Sequence, residues 1–70
     1  MIRTPVSSSD LRSVGYESTT FTLEIEFVSG GIYQYDGVPV TIYQGLMNAP
    51  SAGRYFHARI KNSYPARKVG

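Results

Sequence analysis

The sequence predicts an α+β domain in which a three-stranded antiparallel meander is followed by two C-terminal helices packed on one face of the sheet. Up to Val38, apolar and polar residues alternate in short segments, a two-residue period that is typical of strands with one solvated face. Beyond Val38 the apolar residues recur at helical spacing instead. The chain has 70 residues, which is room for one domain.

Three segments are predicted to form the sheet, at residues 11–17, 19–28 and 32–36. Gly15 within the first segment indicates a bulge or a close approach by another part of the backbone. Ser29–Gly31 supplies a tight turn, because glycine adopts positive φ without steric cost. The second segment alternates most clearly, which predicts one buried and one solvated face. Its buried face consists of Phe21, Leu23, Ile25 and Phe27, and its solvated face includes Glu24 and Glu26.

Two helices are predicted after the sheet. Pro39 has the fixed φ that suits a first helical turn, and Pro50 ends this helix. Ser51 is a good N-cap for a second helix that runs to about residue 62. The apolar stripe of the second helix contains Ala52, Phe56, Ile60 and, at its edge, Tyr55, while Arg54, His57 and Lys61 lie on the opposite side.

Arg59 is the exception to this amphipathic pattern, because its position projects between Tyr55 and Phe56. A cation in an apolar stripe must find a partner or extend to water. The pattern therefore predicts that Arg59 pairs with Glu24, Glu26 or a backbone carbonyl, or else marks the edge of a binding surface.

Both ends of the chain are predicted to lie outside the globular core, which spans residues 11–64 of a single domain 1–70. Residues 1–10 are polar and include a proline and three consecutive serines, as expected for a flexible arm. Residues 65–70 form a basic tail that is predicted to be mobile.

The composition argues against several classes of function. Without cysteine there are no disulfides or thiolate metal sites, and His57 as the only histidine cannot build a histidine-rich one. Glu24 and Glu26 on an open strand face lack the cleft that would separate their pKa values for acid–base catalysis. We therefore expect no enzyme, cofactor or metal. No segment is predicted to span a membrane or to act as a secretory signal, so the cytoplasm is the expected compartment.

Charge is distributed unevenly along the chain. Residues 1–50 contain two basic and five acidic residues, a net charge of −3, whereas residues 51–70 contain five basic residues and none that is acidic. This asymmetry indicates either an anion-binding face or an internal balance of charge between sheet and helix.

Two features favour nucleic-acid binding. Aromatic residues displayed on a sheet can stack on unpaired bases, although tyrosines in a strand also serve ordinary packing. Basic residues on a helix and in a tail can contact phosphates, although such residues are often only solvated. The candidate residues for binding RNA or another single-stranded nucleic acid are Tyr33, Tyr35, Arg54, His57, Arg59, Lys61, Arg67 and Lys68. The alternative is a module for protein interaction or self-association, since edge strands and a small core both favour association.

A set of short motifs along residues 7–64 resembles one known family. The motifs are Val14-Gly15-Tyr16, Tyr33-x-Tyr35, Val38-Pro39 and Ser51-x-Gly53-x-Tyr55-Phe56, supported by Leu23, Gly30, Tyr43 and Leu46. In this order they resemble the KTSC domain, which is named for the C-terminal domain of some lysyl-tRNA synthetases and also occurs as small bacterial and phage proteins. The resemblance implies no catalytic residues. It implies a suggested role in RNA binding and directs attention to Tyr33 and Tyr35.

Overall fold

In the computed structural model, which describes residues 1–70, one face of a five-stranded antiparallel sheet is covered by two helices. Neighbouring strands along the chain are also neighbours in the sheet, so that the spatial order is β1-β2-β3-β4-β5. The elements are β1 Thr4–Pro5, β2 Leu11–Glu17, β3 Thr22–Phe27, β4 Ile32–Tyr35, α1 Val40–Asn48, α2 Ala52–Arg59 and β5 Ala66–Lys68.

The α+β class and the two helices after the meander are confirmed, but the prediction of three strands is wrong because both ends of the chain add a strand. The predicted flexible arm pairs with β2, with Thr4 opposite Val14, and the predicted mobile tail pairs with β4, with Arg67 opposite Gln34. These strands are two and three residues long and all their residues are exposed, so that they have no alternation of buried and solvated residues by which they could be recognised.

The core lies between the helices and the face of the sheet that they cover. Leu23 and Ile25 of β3 are completely buried, as the alternation predicts. Phe21 is an error in that prediction: it precedes β3, its side chain is 54% exposed and its φ is +56°. The reason is that the turn between β2 and β3 ends at Phe21, whose carbonyl accepts a hydrogen bond from the backbone of Val38. The core residues are Leu11, Val14, Leu23, Ile25, Tyr35, Val38, Leu46, Ala52, Phe56 and Ile60.

Both helix starts and the end of α1 lie where the local sequence predicts them, whereas the end of α2 does not. Pro39 is the N-cap of α1, and the Ser51 side chain accepts a hydrogen bond from the backbone N–H of Arg54 at the start of α2. The second helix ends at Arg59 rather than near residue 62. There the chain turns, because the N–H groups of Ile60 and Lys61 both donate to the same carbonyl of Phe56.

Gly15 marks a close backbone approach, one of the two possibilities that its sequence position indicated. A Cβ atom at this position would lie 2.7 Å from the carbonyl oxygen of Ile2, a distance that real side chains do not reach. The first residues of the chain therefore cross directly over β2, on the face of the sheet that the helices do not cover.

Candidate functional site

The two sheet tyrosines lie on the face that the helices cover. Tyr35 is opposite Leu23 and Tyr33 is opposite Ile25, and directly paired residues in neighbouring antiparallel strands project to the same side. Tyr35 is only 5% exposed, and its ring meets that of Phe56 edge-on with a centroid distance of 5.5 Å. Burial, together with the nearby Tyr33, raises the pKa of Tyr35 above its ordinary value.

Tyr33 is half-buried beside these residues. Its ring packs edge-on against Phe27 with a centroid distance of 5.6 Å, and it lies opposite Lys68 of β5. Because Tyr35 belongs to the core, the pair does not present two free ring faces to solvent. Tyr35 therefore offers no free ring face to a base, while Tyr33 packs against Phe27 and stays partly exposed.

The opposite face of the sheet is organised around the Glu24 carboxylate, whose side chain is only 10% exposed. Arg3 donates from Nη1 to Glu24 at 2.7 Å and from Nε to the Ser13 hydroxyl at 3.0 Å. Ser13 in turn donates to Glu26 at 3.0 Å. The prediction that both carboxylates are solvated is wrong for Glu24, and the arginine that pairs with them is Arg3 rather than Arg59.

The same polar row continues to the other edge of the sheet. Gln34 donates to Glu24 at 2.9 Å and accepts from Arg67 Nη2 at 2.9 Å, while Arg67 Nη1 donates to Asp36. The bond from Gln34, with a further contribution from Arg3, lowers the pKa of Glu24 against the opposing effect of burial. We call the set Arg3, Ser13, Glu24, Glu26, Gln34, Asp36 and Arg67 the outer-face network.

His57 is engaged by an acidic residue rather than free. Its Nε2 lies 3.2 Å from Oδ2 of Asp10, and both side chains are about half exposed. With Ser9, Phe27, Val28 and Ser29 they surround a shallow depression of about 360 Å³. No hydroxyl group donates to His57, so the depression lacks the nucleophile–base contact of an acyl-transfer site.

The exposed face of α2 and the turn after it hold three cations without an acidic partner. Arg54, Arg59 and Lys61 are all exposed, and none takes part in a salt bridge. Arg59 was predicted to point into the apolar stripe, but it extends to solvent instead, with its guanidinium carbon 6.0 Å from the centroid of the Tyr55 ring. Extension to water is the second option open to a cation beside an apolar stripe.

The candidate residues are therefore only partly brought together. Arg54 and Lys61 lie on the side of α2 that also carries His57, whereas Arg59 lies on another side, over the half-buried Tyr55. We call these three exposed cations together the α2 basic face. Arg67 is tied into the outer-face network, whereas Lys68 has no ion-pair partner but belongs to β5. Tyr55 was not among the candidate residues, although its four-residue spacing from Arg59 on a helix indicated that the two side chains would meet.

Two further features are absent. No helix is both long and apolar enough to cross a bilayer. No group of three or more His, Asp or Glu residues converges as a metal site would require.

Comparisons with known proteins agree with the motifs. The sequence matches the family model of the KTSC domain over residues 7–64. A lysine–tRNA ligase of Trichormus variabilis is 50% identical over 56 residues, which are 80% of this chain but 10% of that protein. The chain therefore spans about a tenth of the ligases that it matches.

Two relatives of similar length extend the match. An uncharacterised protein of Stutzerimonas stutzeri is 44% identical over 61 residues, which cover 87% of this chain and 86% of that protein. The crystal structure of a KTSC domain protein from Yersinia pestis superposes with a TM-score of 0.96 at 46% identity, over 99% of this chain and 97% of the other. By sequence motifs, family match and fold, the chain belongs to the KTSC domain family.

Proposed function

We propose that this KTSC domain is an accessory module that binds RNA through the sugar–phosphate backbone, with the α2 basic face as the contact surface. The observation that supports this most is that Arg54, Arg59 and Lys61, on α2 and the turn after it, are exposed and have no acidic partners. Cations that are not neutralised within the protein are available to replace the counterions of a phosphate backbone.

The positions of the acidic residues support the same conclusion. Glu24 and Glu26 are paired with Arg3, and Asp36 is paired with Arg67. These three acids lie on the outer face or at the end of β4, away from α2, whereas Asp10 lies beside α2 and contacts His57. The relatives from Trichormus and Nostoc, named as lysine–tRNA ligases, place a similar segment in proteins whose names include an RNA.

The sheet edges give less support to the alternative of self-association. β1 has two residues and includes Pro5, while β5 has three residues and includes Arg67 and Lys68. Short length, proline and charge at an edge are the features by which proteins discourage pairing between sheets. Sedimentation velocity across a range of concentrations tests this alternative, and a concentration-dependent dimer would favour it.

The experiment for RNA binding is a fluorescence anisotropy titration of a 5′-labelled single-stranded oligonucleotide at several salt concentrations. Three phosphate contacts predict a slope of about −2 in a plot of log K against log salt. The triple variant R54A/R59A/K61A should lose both the affinity and the slope. The matched control is K68A, which removes an unpaired cation from β5. No binding by the wild type at low salt, or equal losses in the triple variant and in K68A, would contradict the proposal.

A further inference from the structure

A groove lies between the end of α1 and the start of α2, next to the α2 basic face. It is lined by Ala49, Pro50, Ser51, Arg54 and Tyr55, and its volume is about 350 Å³. Ala49 and Pro50 give it an apolar wall, Tyr55 gives it an aromatic ring, and Arg54 places a cation at its rim. This volume is at the lower end of the range for sites that bind small ligands.

Tyr55 is held in place from the side of α1. A Cβ atom on Gly45 would lie 2.1 Å from the Tyr55 hydroxyl oxygen and 2.6 Å from its Cζ, so that only glycine admits the ring at this position. Arg59 lies one helical turn further along, with its guanidinium carbon 6.0 Å from the ring centroid. The ring is thus fixed by the packing of the two helices while part of it stays accessible.

The groove combines an aromatic ring, an apolar wall and the Arg54 guanidinium, and a second guanidinium, that of Arg59, lies over the ring. This combination has a specific chemical counterpart. An unpaired nucleotide presents a flat apolar base between two negatively charged phosphates. Aromatic side chains stack on such bases regardless of sequence, while bases within a duplex are already stacked on each other and are not available. Neither Arg54 nor Arg59 is neutralised by an acidic residue.

We propose that this groove holds one unpaired base against Tyr55, with the adjoining phosphates on Arg54 and Arg59, so that the domain selects single-stranded RNA over duplex RNA. This inference rests on the proposed function, since it specifies the class of RNA that the α2 basic face binds. In this arrangement Tyr55, rather than Tyr33 or Tyr35, stacks on the base.

The test compares anisotropy titrations of one labelled RNA sequence in its single-stranded form and annealed to its complement. The wild type should bind the single strand at least about tenfold more tightly. Y55L should reduce single-strand affinity roughly tenfold and abolish the preference, while Y55F, which retains the ring, should behave as the wild type. Circular dichroism of each variant establishes that it is folded.

A second measurement needs no substitution and so keeps the inference falsifiable should Y55L fail to fold. A 2-aminopurine base placed in the single strand changes its fluorescence when it leaves its neighbours and stacks on a protein ring. The wild type should alter this fluorescence on binding. Unaltered fluorescence at saturation, or equal affinity for single strand and duplex, would overturn the base pocket while leaving phosphate binding intact. Failure of the wild type to bind either RNA would instead refute the proposed function on which the pocket depends.

Discussion

Replacement of Arg3 by alanine tests whether the first residues of the chain are part of the fold. Arg3 lies in a segment that the sequence predicts to be mobile, yet it donates to Glu24 at 2.7 Å and to Ser13 at 3.0 Å. The Glu24 side chain is 10% exposed, so that in R3A its carboxylate would remain largely shielded from water with Gln34 as its main partner. When a buried acceptor loses a charged donor, the protein loses more stability than the hydrogen bond had contributed.

The magnitude follows from the exposure of the two partners. A hydrogen bond to a charged group contributes about 1.5–3 kcal/mol, and loss of one partner of a fully buried pair costs about 3–5 kcal/mol. The Arg3 side chain is 27% exposed, so water can enter its place and reduce the penalty. We expect R3A to lower the free energy of unfolding by about 2 kcal/mol. For a domain of this size that is a large part of a total of roughly 4–10 kcal/mol.

The assay is urea denaturation at neutral pH, followed by circular dichroism, with thermal unfolding as a second readout. A loss of about 2 kcal/mol corresponds to a decrease in Tm of roughly 8–16 °C. The matched control is R12A, because Arg12 is an exposed arginine of β2 without an ion-pair partner and should change stability by less than about 0.5 kcal/mol. The double variant R3A/E24Q should be more stable than R3A, because the unpaired charge is gone.

The Glu24 carboxylate also makes the stability of the domain depend on pH. Its pKa is lowered by the bond from Gln34 and by Arg3, so the folded state favours the ionised form more than the unfolded chain does. This contribution is therefore complete above the ordinary glutamate pKa of about 4.3 and is lost as the pH falls through the lower folded-state value. E24Q should lose less stability than the wild type over this acid range. An R3A variant as stable as R12A, or an E24Q variant with an unchanged acid dependence, would refute the role of Glu24 as the centre of the outer-face network.

Three further substitutions, measured by thermal unfolding, test two close contacts and one strained backbone conformation. G15A should destabilise the domain by about 1–3 kcal/mol and speed amide exchange in residues 1–5, because its Cβ would meet the Ile2 carbonyl at 2.7 Å. G45A should also destabilise, although alanine normally favours a helix by about 1 kcal/mol, because its Cβ would displace Tyr55. F21N should raise Tm slightly, since an exposed phenylalanine at φ +56° is strained and asparagine tolerates that conformation. A stabilising G45A or a neutral G15A would contradict the corresponding close contact, and a destabilising F21N would contradict the backbone strain at Phe21.

Predictions based on side-chain periodicity succeeded where burial determines the pattern. The alternation in β3 identified Leu23 and Ile25 as core residues, and both are completely buried. The change to helical spacing after Val38, with a proline before one helix and Ser51 capping the next, located both helix starts. These signals are local, so one sequence is sufficient to read them.

The failures come from interactions between parts of the chain that are distant in sequence. β1 and β5 exist because their backbone groups pair with β2 and β4, and backbone pairing leaves no mark on side-chain composition. The partner of Glu24 was sought in Arg59, but it is Arg3, 21 residues away. Tyr33 and Tyr35 were placed on a face only by the register with Ile25 and Leu23, which depends on the length of the preceding turn.

These long-range contacts also bear on the proposed RNA surface. The net charge of the whole chain is only +2. Within the fold, however, Arg3 and Arg67 are used to neutralise acids on the outer face, and the cations of α2 are left without partners. Because Glu24, Glu26 and Asp36 pair with arginines near the two ends of the chain, a weakly charged domain can present unpaired cations on its second helix. The terminal strands that sequence periodicity could not detect therefore hold the two arginines, Arg3 next to β1 and Arg67 in β5, that pair with these acids.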